Sequence, residues 1–295
     1  MDISLDLVKK LREKTGAGIS DCKKALQESN GDFEKAIEYL RKKGAATSQK
    51  RSDRIAKEGI ILAKTSDDRK EAAIAEINCE TDFVGRSDAF KRFASSVINV
   101  IFQSRSKELN SVLNASAGGS TLQQLLDETT ASVGEKVEIK RIGYFSSSNG
   151  FFCEYNHLGN KIASLIELEG GVSDKGTVLG NDLAMQVVAM NPVSIDRNEI
   201  SAEKIAAEKE IYITQAKNEK KPDNIAEKIA ANKVEKYFQE NCLIEQEFVK
   251  EPGKSVNDVI RTVSKETGSE YKVKTIIRYQ LGETISYKNC QQNLK

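Results

Sequence analysis

The 295-residue chain carries 45 Lys and Arg against 44 Asp and Glu, so 30% of it is charged while the net charge is only +1. That balance suits salt-bridged, solvent-facing helices and lacks the basic excess of a non-specific nucleic-acid binder. No apolar run approaches the ~18 residues of a membrane span, and MDISLDLVKK has no apolar stretch behind a basic start, so neither a membrane anchor nor a secretory signal is expected.

Residues 5–43 carry three short helical patterns. Leu7, Val8 and Leu11 mark the first, which stops at Thr15-Gly16-Ala17-Gly18. Ser20 or Asp21 can cap the second, with Cys22, Ala25 and Leu26 inward. Asp32 can cap the third, with Phe33, Ala36, Ile37 and Leu40 inward and Gly44 after its end. A unit this small (1–44) is marginal alone and reads as a docking module. Residues 45–58, polar and basic, read as a linker, with part of it open to a helical conformation.

From Gly59 the pattern changes. GIILAKT and EAAIAEINCE predict a strand pair around Asp67-Asp68. A helix follows, capped by Ser87, with the stripe Phe90, Phe93, Ala94, Val97, Ile98 and Ile101. A second helix holds Leu122, Leu125 and Leu126. VEIKRIGYF then alternates, with Val137, Ile139, Arg141, Gly143 and Phe145 on one face.

That order recurs. GFFCEYNH and KIASLIELE predict a second hairpin, NDLAMQVVAMN a helix stopping at Pro192, Ser255 caps another helix, and YKVKTIIRYQL is a last strand. The expectation is an α+β core of two related subdomains, 59–148 and 149–282, with a tail at 283–295. The second copy contains an insertion, 199–241, that predicts an antiparallel helical hairpin. In it Ile205, Tyr212, Ile213 and Ala216 face Ile229, Ala230, Tyr237 and Phe238, and Pro222 lies in a first helical turn. Its surface, crowded with Glu and Lys, reads as solvated.

Catalytic constellations are absent from the sequence. There is no GxxxxGK[ST], GxGxxG or GxSxG motif. The five cysteines, Cys22, Cys79, Cys153, Cys242 and Cys290, are scattered and form no CxxC, which predicts reduced thiols and no zinc site. His157, the one histidine, falls at a hairpin turn, where a solvated or partner-facing role fits better than catalysis. No cofactor is expected, and a protein-binding factor is favoured over an enzyme. An RNA-binding role for the basic residues Lys50, Arg51, Arg54 and Lys57 is disfavoured by the charge balance, so no direct nucleic-acid partner is expected.

EINCETDFVGR, residues 76–86, poses a separate problem. Gly85 interrupts any helix before Ser87, leaving Thr81, Asp82, Phe83 and Val84 as a protruding turn. Periodicity favours Phe83 tucking beneath the next helix as a hydrophobic staple near Phe90. The alternative is burial in a partner, and either would gain roughly 1.5–3 kcal/mol.

LREKTGAGISDCKKAL (11–26) and EINCETDFVGR (76–86), supported by DLAMQVVAMNP (182–192) and residues 221–250, closely resemble bacterial elongation factor Ts, over about residues 4–282. The resemblance implies an N-terminal ubiquitin-associated-like three-helix domain, two related core subdomains and an inserted helical hairpin. It also implies guanine-nucleotide exchange on elongation factor Tu during translation elongation in a bacterial cytoplasm. Residues matching Asp82 and Phe83 would wedge into the nucleotide-binding domain of that partner, disturb its magnesium site and release GDP. Arg12, Ile19 and Ser20 match residues that touch the same domain, and the region around His157 would meet a second domain. By the same likeness the hairpin leaves homodimerisation open. Two positions depart from the family pattern: Ser20, commonly apolar, and Gly85, commonly Ser or Ala. A related adaptor that binds without exchanging is the alternative.

Overall fold

The computed structural model describes residues 3–283. Its first three helices are α1 (Leu5–Thr15), α2 (Ile19–Glu28) and α3 (Phe33–Lys50). The Ser4 hydroxyl accepts from the Leu7 N–H to start α1, and Gly16, at φ 69°, ends it in the left-handed conformation that glycine adopts without a Cβ clash. Val8, Leu11, Cys22, Ala25, Leu26, Ala36 and Ile37 form their small core. Asp32 caps α3 as expected. The start of α2 differs: its cap is Gly18, with no side-chain bond, and Ser20 and Asp21 lie inside the first turn.

The end of α3 differs more. The helix runs through Gly44 to Lys50, so the stretch expected to be a linker begins as helix. Gly44 does not break the helix because its missing side chain is a packing feature. It is buried, and a Cβ there would lie 3.3 Å from the Asp127 carbonyl oxygen of a later helix. Arg41 Nε adds an ion pair with Glu128 at 3.3 Å. The N-terminal helices are therefore docked on the core.

The core holds two antiparallel three-stranded sheets. Strands β1 (Glu58–Thr65), β2 (Glu71–Cys79) and β3 (Val137–Ser146) form one in the order β1-β2-β3. Strands β4 (Gly150–Asn156), β5 (Ile162–Glu169) and β6 (Lys272–Gln280) repeat that order in the other. The sheets meet face to face through Ile61, Ala63, Ala72 and Ile74 against Phe152, Ala163, Leu165 and Ile277. Between β2 and β3 lie α4 (Asp82–Arg86), α5 (Asp88–Ser104), α6 (Leu109–Asn114) and α7 (Leu122–Val133). Helices α5, α6 and α7 cover the outer face of the first sheet. Between β5 and β6 come α8 (Asp174–Met190), the hairpin α9 (Ala202–Asn218) and α10 (Asp223–Asn241), and α11 (Val256–Thr267). Helices α8 and α11 cover the second sheet, so the layers read helix, sheet, sheet, helix.

The expected alternation of β3 holds over only half its length. Glu76 pairs with Arg141 but Ile77 pairs with Ile139, which leaves Lys140 as the extra residue of a β-bulge. Val137 and Ile139 face the helices. After the bulge the parity switches, Ile142 and Tyr144 take that face, and Phe145 points between the sheets. The second sheet has the same device: Glu167 pairs with Thr275 and Leu168 with Val273, leaving Lys274.

Other elements depart from the sequence reading by less. Helix α8 starts at Asp174, ahead of the expected 181, because Gly176 and Gly180 allow close packing. A Cβ at Gly180 would lie 2.3 Å from Cys153 Sγ, and one at Gly176 would lie 2.5 Å from the Tyr271 hydroxyl. Helix α6, too short to show a period, was not expected. In the hairpin, Ala216, Ala226, Ala230, Val234 and Phe238 are the buried positions, while Ile213 and Ile229 are only half-buried. Pro222 occupies the cap position of α10 and not its first turn. Cys22, Cys79, Cys153 and Cys242 are buried free thiols. Cys290 and the tail from 284 lie outside the described residues.

Gly44→Leu is expected to overpack the α3–α7 contact and destabilise docking of the N-terminal helices by about 1–3 kcal/mol. Urea unfolding followed by limited proteolysis between residues 45 and 58 would register this, as earlier cleavage.

Candidate partner-binding site

Strand β2 ends at Cys79, and the chain leaves the sheet through Glu80 and Thr81 into α4. Thr81 is extended (φ −126°, ψ 157°) and caps the helix, its hydroxyl accepting from the Val84 N–H at 3.4 Å. The expected turn at 81–84 is thus the first turn of a five-residue helix that contains Gly85. At 3.6 residues per turn, neighbouring positions point ~100° apart. Val84 packs half-buried on the first sheet's helical core, and Gly85 is buried beside Cys79. Phe83 must then point away, and it is 82% exposed. The staple expectation fails here, because Val84 and Gly85 take the inward face of α4 and leave Phe83 on the outward one. Asp82 lies next to it, in an exposed ion pair with Arg86 at 2.9 Å.

Two pairs of residues hold this helix at its base. The Thr81 N–H donates to Glu135 Oε2 at 2.9 Å, and the Thr81 hydroxyl donates to Glu135 Oε1 at 2.7 Å. The Lys136 N–H donates to Glu80 Oε1 at 2.6 Å, and Arg54 Nη1 reaches Glu80 Oε2 at 3.2 Å. The Lys136 N–H, followed by the Arg54 guanidinium, keeps the Glu80 carboxyl below the usual carboxylate range. Burial, reinforced by the Glu135 carboxylate, pushes the Cys79 thiol up to about 11, so it is an inert core group.

Arg12, Ile19 and Ser20 are all exposed on α1 and α2, with Ile19 at 56%. They connect to α4 through one short segment. Ser132 Oγ donates to the Gly16 carbonyl at 3.0 Å, and Glu135, three residues on, holds Thr81. His157 belongs elsewhere, on the turn between β4 and β5. It is exposed beside Leu158, which is 94% exposed, and its Nδ1 meets the Tyr155 hydroxyl at 3.1 Å. A mostly apolar cleft of about 440 Å³ opens there between Tyr155, His157, Ile162, Met185, Val188 and Val249. Among the described residues no group of three or more His, Cys, Asp or Glu side chains could hold a metal, and no helix is long and apolar enough to cross a membrane.

A family model described as elongation factor TS matches residues 80–283. The elongation factor Ts of Chloroherpeton thalassium is 42% identical over 286 residues, covering 96% of this chain and 99% of the relative. That of Chlorobium phaeobacteroides is 43% identical over 284 residues, covering 95% and 99%. That of Clostridioides difficile is 42% identical over 286 residues, covering 96% and 94%. The chain belongs to the elongation factor Ts family. Its mixed helices and antiparallel sheets are the α+β fold that the sequence implied.

Glu135 and Glu80 escaped the sequence reading. Each is one acidic residue among 44, and neither lies on a periodic face, so nothing local marks it. Gly85, expected to interrupt any helix before Ser87, lies inside α4: its φ is not positive, and a Cβ there would meet Cys79 Sγ at 3.5 Å and the Gly59 backbone at 3.9 Å, ordinary contacts. Gly85→Ala is therefore expected to fit and to stabilise the protein by about 0.5–1 kcal/mol by removing backbone freedom from a helical site. A higher urea midpoint at unchanged slope would show it; a lower midpoint would mean that Cys79 cannot give way.

Proposed function

We propose that the chain is the guanine-nucleotide exchange factor for elongation factor Tu in translation elongation, acting in a bacterial cytoplasm. In this reading it binds the GDP form, drives Asp82 and Phe83 into the nucleotide-binding domain, displaces magnesium and GDP, and stays bound until GTP enters. The observation that carries the reading is the 82% exposed Phe83 on a short helix anchored at its base, in a chain of the elongation factor Ts family. A large aromatic left in water while Val84 and Gly85 turn inward has most of its burial still to gain, and a partner's core can supply it.

The chemistry asked of the factor is mechanical. Magnesium keeps near-ideal octahedral geometry, so a small shift of its ligands weakens it sharply. A ring pushed between packed helices produces such a shift, because close-packed interiors move between discrete arrangements. Linkage then requires that a factor which weakens nucleotide binding hold the nucleotide-free partner more tightly. No covalent step is needed. Arg12, Ile19 and Ser20 would grip the same domain from the docked N-terminal helices, and the cleft at His157 would receive a second domain.

Phe83→Ala is expected to leave the fold intact and to slow stimulated GDP release at least tenfold, about 1.4 kcal/mol in the barrier. Release of a fluorescent GDP from elongation factor Tu, with catalytic amounts of the factor, measures this. Unchanged exchange by the variant would rule out the wedge. Binding of the wild-type chain without acceleration would instead favour a non-exchanging adaptor.

A further inference from the structure

We infer that Glu135 is a positioning residue for exchange: acting through Thr81, it sets the direction in which α4 presents Asp82 and Phe83. The inference rests on the exchange reading above. Helix α4 has five residues, a single turn, and a single turn does not hold itself, since fixing it gains too few internal hydrogen bonds. Its geometry has to come from the packing of Val84 and Gly85 beneath it, from the cap, and from what holds the cap.

Glu135 has the right chemistry for that. An ionised carboxylate only accepts hydrogen bonds. By accepting the one proton of the Thr81 hydroxyl at 2.7 Å, it turns the oxygen's lone pairs toward the Val84 N–H, which donates at 3.4 Å. Its other oxygen takes the Thr81 N–H at 2.9 Å and fixes the backbone before the helix starts. One side chain thus determines both the rotation of the cap hydroxyl and the entry of the chain. The next residue repeats the connection, the Lys136 N–H donating to Glu80.

The segment that carries Glu135 is itself held from the N-terminal side. The Arg51 guanidinium donates to the Gly134 carbonyl, Lys136 Nζ donates to the Arg54 carbonyl at 3.0 Å, and Ser132 holds Gly16. The loop between α7 and β3 is therefore a junction. On one side it meets the helices that bear Arg12 and Ile19, and on the other the turn that bears Phe83.

The test compares Glu135→Ala, Glu135→Gln and Phe83→Ala in the full chain. For Glu135→Ala, the Thr81 and Val84 amides should exchange with solvent about tenfold faster, reporting a loosened cap. Maximal stimulated GDP release should fall about tenfold, while the half-saturating concentration of factor stays within about twofold. Glu135→Gln keeps an acceptor for the Thr81 N–H but sets an amide donor against the hydroxyl, so it should fall between. Adding Glu135→Ala to Phe83→Ala should lower release by much less than tenfold, because only the presentation of Asp82 is then left to lose. Unchanged amide exchange, full release by Glu135→Ala, or an equal further loss in the Phe83→Ala background would overturn the inference. If the wild-type chain stimulates no release, the exchange reading fails, and the amide exchange alone decides whether Glu135 orients α4.

Discussion

Face-to-face packing of two three-stranded sheets is the constraint on which the rest of this structure depends. With one face of each sheet turned inward and the other roofed by helices, the central strands β2 and β5 have no wet side. A charge on an inner face must then be paired. Glu76, 1% exposed, is held by Arg141 at 2.7 Å, and Arg141 reaches the Gln280 carbonyl at 3.0 Å and stacks 3.9 Å from the centre of the Tyr279 ring. The Gly282 N–H closes the set on Glu76 at 3.1 Å. This cluster ties the first sheet to the end of the second. Removing one member would leave an unpaired buried charge, the expensive case for such pairs.

The site follows from where this layering stops. The helical roof over the first sheet starts at α5, and α4 is the turn of chain between the end of β2 and that roof. It has a floor, formed by Gly85 on Cys79 and by Val84 on the helical core, and its other side is left to Phe83. Exposure of the ring is thus a consequence of topology. Anchoring of the same turn by Glu135 and Glu80 makes it a presented group and not a frayed one.

The two halves of the core share more than their element order. Each third strand carries a bulge in its first half, Lys140 opposite Glu76–Ile77 in one sheet and Lys274 opposite Glu167–Leu168 in the other. A bulge changes which side chains face the roof, so it lets a single strand serve a helical layer with one part and the opposing sheet with the other. The halves differ in what lies between their second and third strands: a presented turn and the anchor of the N-terminal helices in the first, the long hairpin in the second. Glycine contributes at Gly44 and Gly180 by letting elements approach closely, not by breaking them.

Much of this was legible in the residues. The amphipathic periods, the caps at Asp32, Ser87 and Ser255, and the repeated order of hairpin, helix and strand define the α+β class, because they depend on neighbours three or four positions away. Two stretches, 11–26 and 76–86, also carried the family. What the sequence could not determine was set by groups distant along the chain. Whether Gly44 ends a helix depends on the backbone at Asp127. Whether β3 alternates throughout depends on the register of β2. Whether Phe83 is core or surface depends on which face of α4 packs inward, and the cap of α4 is bonded to a carboxylate 54 residues downstream. Local pattern encodes which segments form and which faces are apolar. Only tertiary packing decides which of those faces find cover, because that depends on what the fold brings opposite them.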